Sequence, residues 1–161
     1  MSMPTLGPEF QAAKPLLHSA KFGVAFGTPI LTAEGILPVE YLGEGDRIIT
    51  RAGLRRLRRV NIHVASSALV VRIDRDVLGQ GRPACDLMVR PQQPVLIRDW
   101  RAKVLYGAPQ AMIAAERLVD GQFIRLETVS TARFFELQLD DAAIIYAGGA
   151  ELMIAGACVP A

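Results

Sequence analysis

Residues 26–50 read FGTPILTAEGILPVEYLGEGDRIIT, in which short apolar runs alternate with turn residues. The runs are Pro29–Thr32, Ile36–Val39 and Arg47–Thr50, and the turns between them are Ala33–Gly35 and Gly43–Asp46. Short apolar runs bounded by Gly, Pro and Asp are typical of β-strands, because helices need longer stretches with a period near 3.6. This stretch therefore predicts consecutive antiparallel strands joined by tight turns.

The same pattern continues along the chain and predicts an all-β fold with one short helix. Further runs lie at Leu54–Val64, Ala68–Arg75, Leu87–Val89, Val95–Ile97, Gln122–Leu126, Arg133–Leu139 and Ala143–Ala147. The helix is expected near residues 109–119, since Pro109 suits a first helical position and Asp120-Gly121 can end it. The expected core is Ile30, Ile36, Val39, Leu42, Ile48, Leu96, Ile124, Leu126, Leu137, Leu139 and Ile145.

Length and composition favour one globular domain. The chain has 161 residues, of which 51% are hydrophobic and 21% charged, and this excludes a disordered chain. A net charge of +2 gives no reason to expect a nucleic-acid partner. No window approaches the roughly 18 unbroken apolar residues of a membrane span, so no membrane partner is expected. We expect an arm at 1–19, the domain at 20–153 and a tail at 154–161.

The cysteines and histidines predict neither a metal site nor a cofactor. Cys85 and Cys158 are far apart in the sequence, and His18 and His63 are the only histidines. Zinc sites need such residues in closely spaced pairs. The N-terminus lacks a basic segment followed by an apolar one, so a cytoplasmic location is the default expectation, and the oligomeric state is left open.

The run Arg55-Arg56-Leu57-Arg58-Arg59 is the densest charge in the chain. Alternation along a strand would spread its arginines over both faces, whereas a phosphate-binding stripe needs them on one face beside aromatic side chains. A solvated edge hairpin is the preferred interpretation. Anion or nucleic-acid binding through Arg51–Arg59, with Arg55, Arg56, Arg58 and Arg59 as its ligands, is the weaker alternative.

The candidate nucleophiles lack an evident base. An activated hydroxyl needs an imidazole or a similar base within hydrogen-bond reach. His63 alternates within Asn61–Val64 and is expected to point outward from a strand. Glu136, Asp140 and Asp141 are read as solvated carboxylates, so no catalytic group is predicted from residue types alone.

The order of motifs resembles the Hint (Hedgehog/intein) domain, and its bacterial stand-alone branch most of all. The residues that carry the likeness are 26–32 (FGTPILT), 35–42 (GILPVEYL), 43–50 (GEGDRIIT), 86–97 (DLMVRPQQPVLI), 134–137 (FFEL) and 146–149 (YAGG). Motif order and spacing match over about residues 20–153. The resemblance implies a horseshoe or disc of bent antiparallel hairpins with a pseudo-twofold arrangement.

The resemblance also implies where the family's reactive residues would fall. The family's nucleophilic Cys or Ser corresponds to Gly23, or to Ala25 if two residues are deleted, and the following Thr is Thr28. The family's Thr and His that polarise the scissile amide correspond to Arg90 and Gln93. The closing Asp or His corresponds to Glu136 and the last His to Ala142 or Ala143. This chain has no thiol, catalytic hydroxyl or imidazole at those positions.

Losing nucleophile and both histidines together predicts a degenerate Hint domain, leaning away from an enzyme. Its expected role is a binding or structural module for an unknown peptide or protein partner. The partner would use the former reaction cleft around Ala25, Arg90, Gln93 and Glu136. The alternative is residual self-cleavage or amide hydrolysis, with Glu136 activating water and Gln93 stabilising an oxyanion.

Overall fold

The computed structural model describes residues 22–156, and these form one connected β-sheet system. The expected arm at 1–19 and residues 157–161 of the expected tail lie outside the described residues. Its strands are β1 (Val24–Ala25), β2 (Pro29–Thr32), β3 (Gly35–Pro38), β4 (Arg47–Thr50), β5 (Gly53–Arg56), β6 (Arg59–Ile73), β7 (Leu87–Val89), β8 (Pro94–Ile97), β9 (Ala111–Ala114), β10 (Ile124–Leu139), β11 (Ala143–Ala147) and β12 (Ala150–Gly156). Residues 154–156, expected in the tail, belong to β12.

The hydrogen-bonded order of the main strands is β1-β7-β6-β10-β12-β11-β2-β4-β5. Strand β3 pairs with β2, while β8 pairs with β12 and β9. Every pairing is antiparallel except the short parallel contact of Gln138 and Leu139 with Ala155 and Gly156. The all-β prediction is confirmed.

The longest elements are β6 and β10, which form an antiparallel ribbon of 15 and 16 residues. Its register runs from Ile73 opposite Ile124 to Arg59 opposite Gln138. The sequence predicted two shorter strands in place of β6 and two in place of β10, because polar residues interrupt the apolar runs. The strands instead continue through those residues. Within β6, Ser67 departs from the extended conformation, with a φ of 49°.

The helix prediction is wrong. The α-helix of the described residues, α1, spans Trp100–Tyr106, and residues 109–119 contain β9 followed by a 3-10 turn at Ala115–Leu118. The Asp99 side chain caps α1 by accepting from the Arg101 amide, and Gly107 ends it in the left-handed conformation. Strand pairing with β8 and full burial of Ile113 outweigh the helix propensity of the alanines.

Most of the expected core is buried, with three exceptions. Ile30, Val39, Leu42, Ile48, Ile124, Leu137, Leu139 and Ile145 lie in one hydrophobic cluster. Leu96 is half-buried, since the alternation of β8 directs Val95 and Ile97 inward instead. Ile36 and Leu126 are exposed. Ile36 lies on β3, which pairs only with β2 among the described strands, so little packs over it.

Candidate functional site

Gln93 lies at the centre of the candidate site and bridges the first and last strands. Its Oε1 accepts a hydrogen bond of 2.8 Å from the amide of Gly23, just ahead of β1. Its Nε2 donates to the carbonyl of Met153 in β12 at 2.7 Å and to that of Pro94 at 3.0 Å. The side chain is 1% exposed, and both amide protons are engaged. Gln93 is therefore a fixed tie between the two ends of the domain.

Gly23 is held through both of its backbone polar groups. The Gly23 carbonyl accepts from the Arg90 amide at 3.0 Å, while the Gly23 amide donates to Gln93. Phe22 is buried as well. Of the two alternatives for the missing nucleophile, Gly23 is the residue whose backbone contacts Gln93, whereas Ala25 pairs with Phe134 in β10.

The space beside Gly23 is filled by its neighbours. A β-carbon built on Gly23 would lie 3.1 Å from Arg90 Cδ and 3.4 Å from Phe134 Cβ. Gly23 also has a φ of +153°, which side-chain-bearing residues rarely adopt. A β-carbon at Gly23 would thus require its neighbours, Arg90 first, to shift by a few tenths of an ångström.

Arg90 fills that space and is poorly solvated. Its guanidinium carbon lies 5.5 Å from the centroid of the Phe134 ring, a cation–π contact. Its Nη1 is buried without a hydrogen-bond partner among the described residues. Burial lowers the pKa of Arg90 from its ordinary value, although the Glu136 carboxylate opposes that shift. The side chain remains a cation held against an aromatic ring and a nearby carboxylate.

Glu136 is buried and has an imidazole beside it. Its Oε1 lies 3.2 Å from Asn61 Nδ2 and 3.2 Å from His63 Nε2, and its side chain is 3% exposed. Two expectations are therefore wrong: Glu136 is not a solvated strand-end carboxylate, and a histidine does lie beside a site residue. His63 reaches Glu136 because β6 and β10 pair with Asn61 opposite Glu136 and His63 opposite Phe134.

Sequence reasoning missed Asn61 and His63 as members of this cluster. Strand alternation alone places them on one face of β6, and that signal was available. The register that puts this face against Glu136 joins residues more than 70 positions apart and could not be read from the motifs.

The remaining expected site residues lie apart from Gln93 or serve the backbone. Thr28 is buried, and its Oγ1 donates to the Ala25 carbonyl at 2.7 Å, closing the turn between β1 and β2. Ala142 and Ala143 are half-buried beside β12, where Ala143 pairs with Ile154. Neither alanine has a group that could take part in acid–base chemistry.

The arginine run lies at the outer edge of the sheet. Arg55 and Arg56 end β5, while Arg58 and Arg59 begin the next segment, and all four are exposed. Leu57 between them is fully buried and interrupts the strand, so the run is not one continuous stripe. Arg58 pairs with Asp140 at 3.0 Å.

No cluster of three or more His, Cys, Asp or Glu side chains suited to a metal ion occurs between Phe22 and Gly156. In the same range, every helix is too short or too polar to cross a bilayer. A shallow cavity of about 60 Å³ opens on another part of the sheet, lined in part by Thr32, Glu34, Asp46 and Arg47. Its lining includes none of Gly23, Arg90, Gln93 and Glu136.

Comparison with known proteins agrees with this architecture. The chain resembles the solution structure of a bacterial intein-like domain from Clostridium thermocellum, with a TM-score of 0.61 and 17% identity over 84% of this chain and 99% of that one. The TvoVMA intein matches with a TM-score of 0.59 and 12% identity, over 83% and 98%. A DnaB intein from Synechocystis matches with a TM-score of 0.54 and 11% identity, over 83% and 99%.

These identities are too low to transfer more than the fold. None of the curated proteins compared with the chain matches it. A sequence profile of the Hint domain, in contrast, matches residues 23–152, which include Gly23 and Gln93. The chain therefore belongs to the Hint domain family.

Proposed function

We propose that this protein is a catalytically degenerate Hint domain that serves as a binding or structural module. The observation that carries the proposal is the hydrogen bond between Gln93 and the Gly23 amide. Gln93 occupies the place where the family resemblance expects an imidazole and accepts the amide proton of Gly23. An amide side chain can hold that peptide but cannot donate a proton to its nitrogen near neutral pH.

Cleavage of the Phe22–Gly23 peptide would need an attacking group as well as a proton donor. An acyl shift breaks the C–N bond while a thiol or hydroxyl bonds to the carbonyl carbon, and Gly23 supplies neither. Arg90 and Phe134 occupy the space in which such a side chain would lie. Both halves of the covalent route are therefore missing.

The alternative of water-mediated hydrolysis is less consistent with the same contacts. An oxyanion hole needs donors aimed at the developing charge. Both Nε2 protons of Gln93 are already directed at the carbonyls of Pro94 and Met153. The Glu136 Oε1 accepts from Asn61 and contacts His63, so that oxygen is not free to orient a water.

The retained contacts suit a structural role. Gln93 joins the segment that leads into β1 to β12, and the Gly23 backbone bonds to both Gln93 and Arg90. These bonds close the sheet system where an active relative would open a peptide bond. The scaffold then offers its outer surface to a partner.

The proposal is tested by intact-mass spectrometry of the purified 161-residue protein. Samples are incubated for days near neutral pH, with and without dithiothreitol or hydroxylamine, which cleave thioesters and esters. The expected spectrum contains only the 17.5 kDa chain under every condition. A product that begins at Gly23 or Ala25 would contradict the proposal.

Two variants identify which lost group matters. Gly23→Cys restores only the thiol, and we expect it to remain uncleaved because Gln93 cannot protonate the leaving amine. The variant that carries Gly23→Cys, Gln93→His and Arg90→Ala supplies thiol and imidazole together and removes the side chain nearest the added β-carbon. Thiol-dependent cleavage is expected to exceed the wild-type background only in that triple variant.

A further inference from the structure

Strand β5 (Gly53–Arg56) is the last strand on its side of the sheet and pairs only with β4 among the described strands. Just after it, Leu57 donates to the Asp46 carbonyl at 2.7 Å and accepts from the Gly45 amide at 2.8 Å. Backbone direction alternates along an antiparallel strand, so the N–H and C=O groups of Leu54 and Arg56 point away from β4. This edge, Leu54 to Arg56, can accept another strand.

The side chains of the edge carry unneutralised positive charge. Arg47 and Arg56 lie directly opposite each other in the β4–β5 ladder, an arrangement that costs stability because like charges repel. Arg47, Arg55 and Arg56 are exposed, and none forms an ion pair with a carboxylate of the described residues. Arg51 and Arg58 nearby are paired, with Glu151 and Asp140. The β4–β5 hairpin therefore carries three exposed arginines that have no ion-pair partner among the described residues.

The edge carbonyl of Leu54 has a replaceable partner. Arg55 Nη1 donates to it at 3.0 Å from an exposed position. A strand amide could take that place and release the guanidinium for a carboxylate. Leu54 is 44% exposed and lies on the same face of β5 as Arg56, so the edge presents one apolar contact beside the cations.

We propose that the edge of β5 binds an acidic peptide segment in extended conformation, which adds to the sheet as a further antiparallel strand. This inference rests on the proposed function, since it names the surface and partner class of a binding module. Backbone ladder bonds would give affinity, and carboxylates opposite Arg55 and Arg56 would give selectivity. The segment would carry an apolar residue opposite Leu54.

A peptide fits this surface better than a nucleic acid does. Single-stranded nucleic acids bind where aromatic side chains stack on bases, and β4 and β5 contain only Arg, Ile, Thr, Gly and Leu. Outward-pointing N–H and C=O groups match another peptide backbone instead.

The test is fluorescence-anisotropy titration of the full 161-residue protein with a labelled peptide of core sequence Glu-Glu-Val-Glu. Comparison ligands are the Lys-Lys-Val-Lys peptide, the acidic peptide N-methylated at alternate amides, and a thymidine decanucleotide. We expect binding of the unmodified acidic peptide only. Arg56→Glu is expected to weaken binding about tenfold or more, because it reverses an edge charge. Arg75→Glu, with the same net-charge change on another surface, is expected to leave it within about twofold.

Three results would overturn the inference: no binding of the acidic peptide, equal binding of its N-methylated form, or tighter binding of the oligonucleotide. Equal binding after N-methylation would mean that only charge is recognised. Because Arg56→Glu places opposite charges across the β4–β5 ladder, the variant is expected to keep its fold, which its thermal unfolding checks. Intact mass is recorded on the same samples. Loss of peptide binding with an uncleaved chain would contradict only this inference, whereas a cleaved chain would contradict the proposed function.

Discussion

Replacing Gln93 by Leu removes the tie between the two ends of the domain. The substitution leaves the Gly23 amide and the carbonyls of Pro94 and Met153 without their Gln93 partners. Each lost hydrogen bond costs about 1 kcal/mol, and each buried polar group left unsatisfied adds to that cost. We expect Gln93→Leu to lower the free energy of unfolding by about 3–5 kcal/mol, a large part of the about 5–15 kcal/mol of a typical domain.

The assay is urea unfolding followed by circular dichroism, with thermal melting in parallel. For a chain of this size the expected loss corresponds to a melting temperature lower by about 6–20 °C. Gln92→Leu is the matched control, because the neighbouring Gln92 is exposed, and it should change stability by less than about 0.5 kcal/mol. A loss below about 1 kcal/mol for Gln93→Leu would refute the view that this side chain holds the strands together.

Two further stability predictions follow from turns of the fold. Although partial burial acts in the opposite direction, backbone N–H groups of residues 122–124 hold the pKa of Asp120 below its ordinary value. The wild type should therefore be more stable than Asp120→Asn at pH 7, and urea titrations should find that difference vanishing as the pH falls below about 4. Equal pH profiles would contradict this. Gly149→Ala would place a β-carbon 2.7 Å from the Ala84 amide nitrogen at a φ of +85°. We expect this variant to lower the free energy of unfolding, measured by calorimetry, by about 2–4 kcal/mol. An unchanged melting temperature would contradict the prediction.

The sequence was sufficient for the β-hairpins near the start of the domain. Strands β2 and β4 follow the apolar runs 29–32 and 47–50 residue for residue, because the turn before Gly35 fixes where β2 ends and the turn at Gly45 fixes where β4 begins. Local chemistry decides such elements, so local chemistry predicts them.

Elements decided by distant contacts were predicted less well. The alanines of β9 favour a helix in isolation but pair with β8, so tertiary contacts outweigh their propensity. The observed helix has a capping residue at each end, Asp99 and Gly107, but it is only 7 residues long, which is too short to show a clear apolar period. Leu126 fits a core pattern but is exposed, because among the described strands only β6 lies beside β10 at that point.

Most residues of the candidate site could be predicted from the sequence, but their contacts could not. Gly23, Arg90, Gln93 and Glu136 could be named from motif order, which the family resemblance supplies. The hydrogen bond from Gly23 to Gln93 and the contact of His63 with Glu136 depend on the register of strands far apart in the sequence. Such registers are set by the packed sheet as a whole, so spacing along the chain does not reveal them.

The state of the Phe22–Gly23 bond is the most direct test of the central claim that this fold holds its peptide without cutting it. Trypsin cuts after Lys21 and Arg47, so the bond lies inside the peptide Phe22–Arg47. After prolonged incubation with hydroxylamine and then digestion, mass spectrometry should detect residues 22–47 only as that intact peptide. A peptide Gly23–Arg47 that accumulates with time would contradict the account.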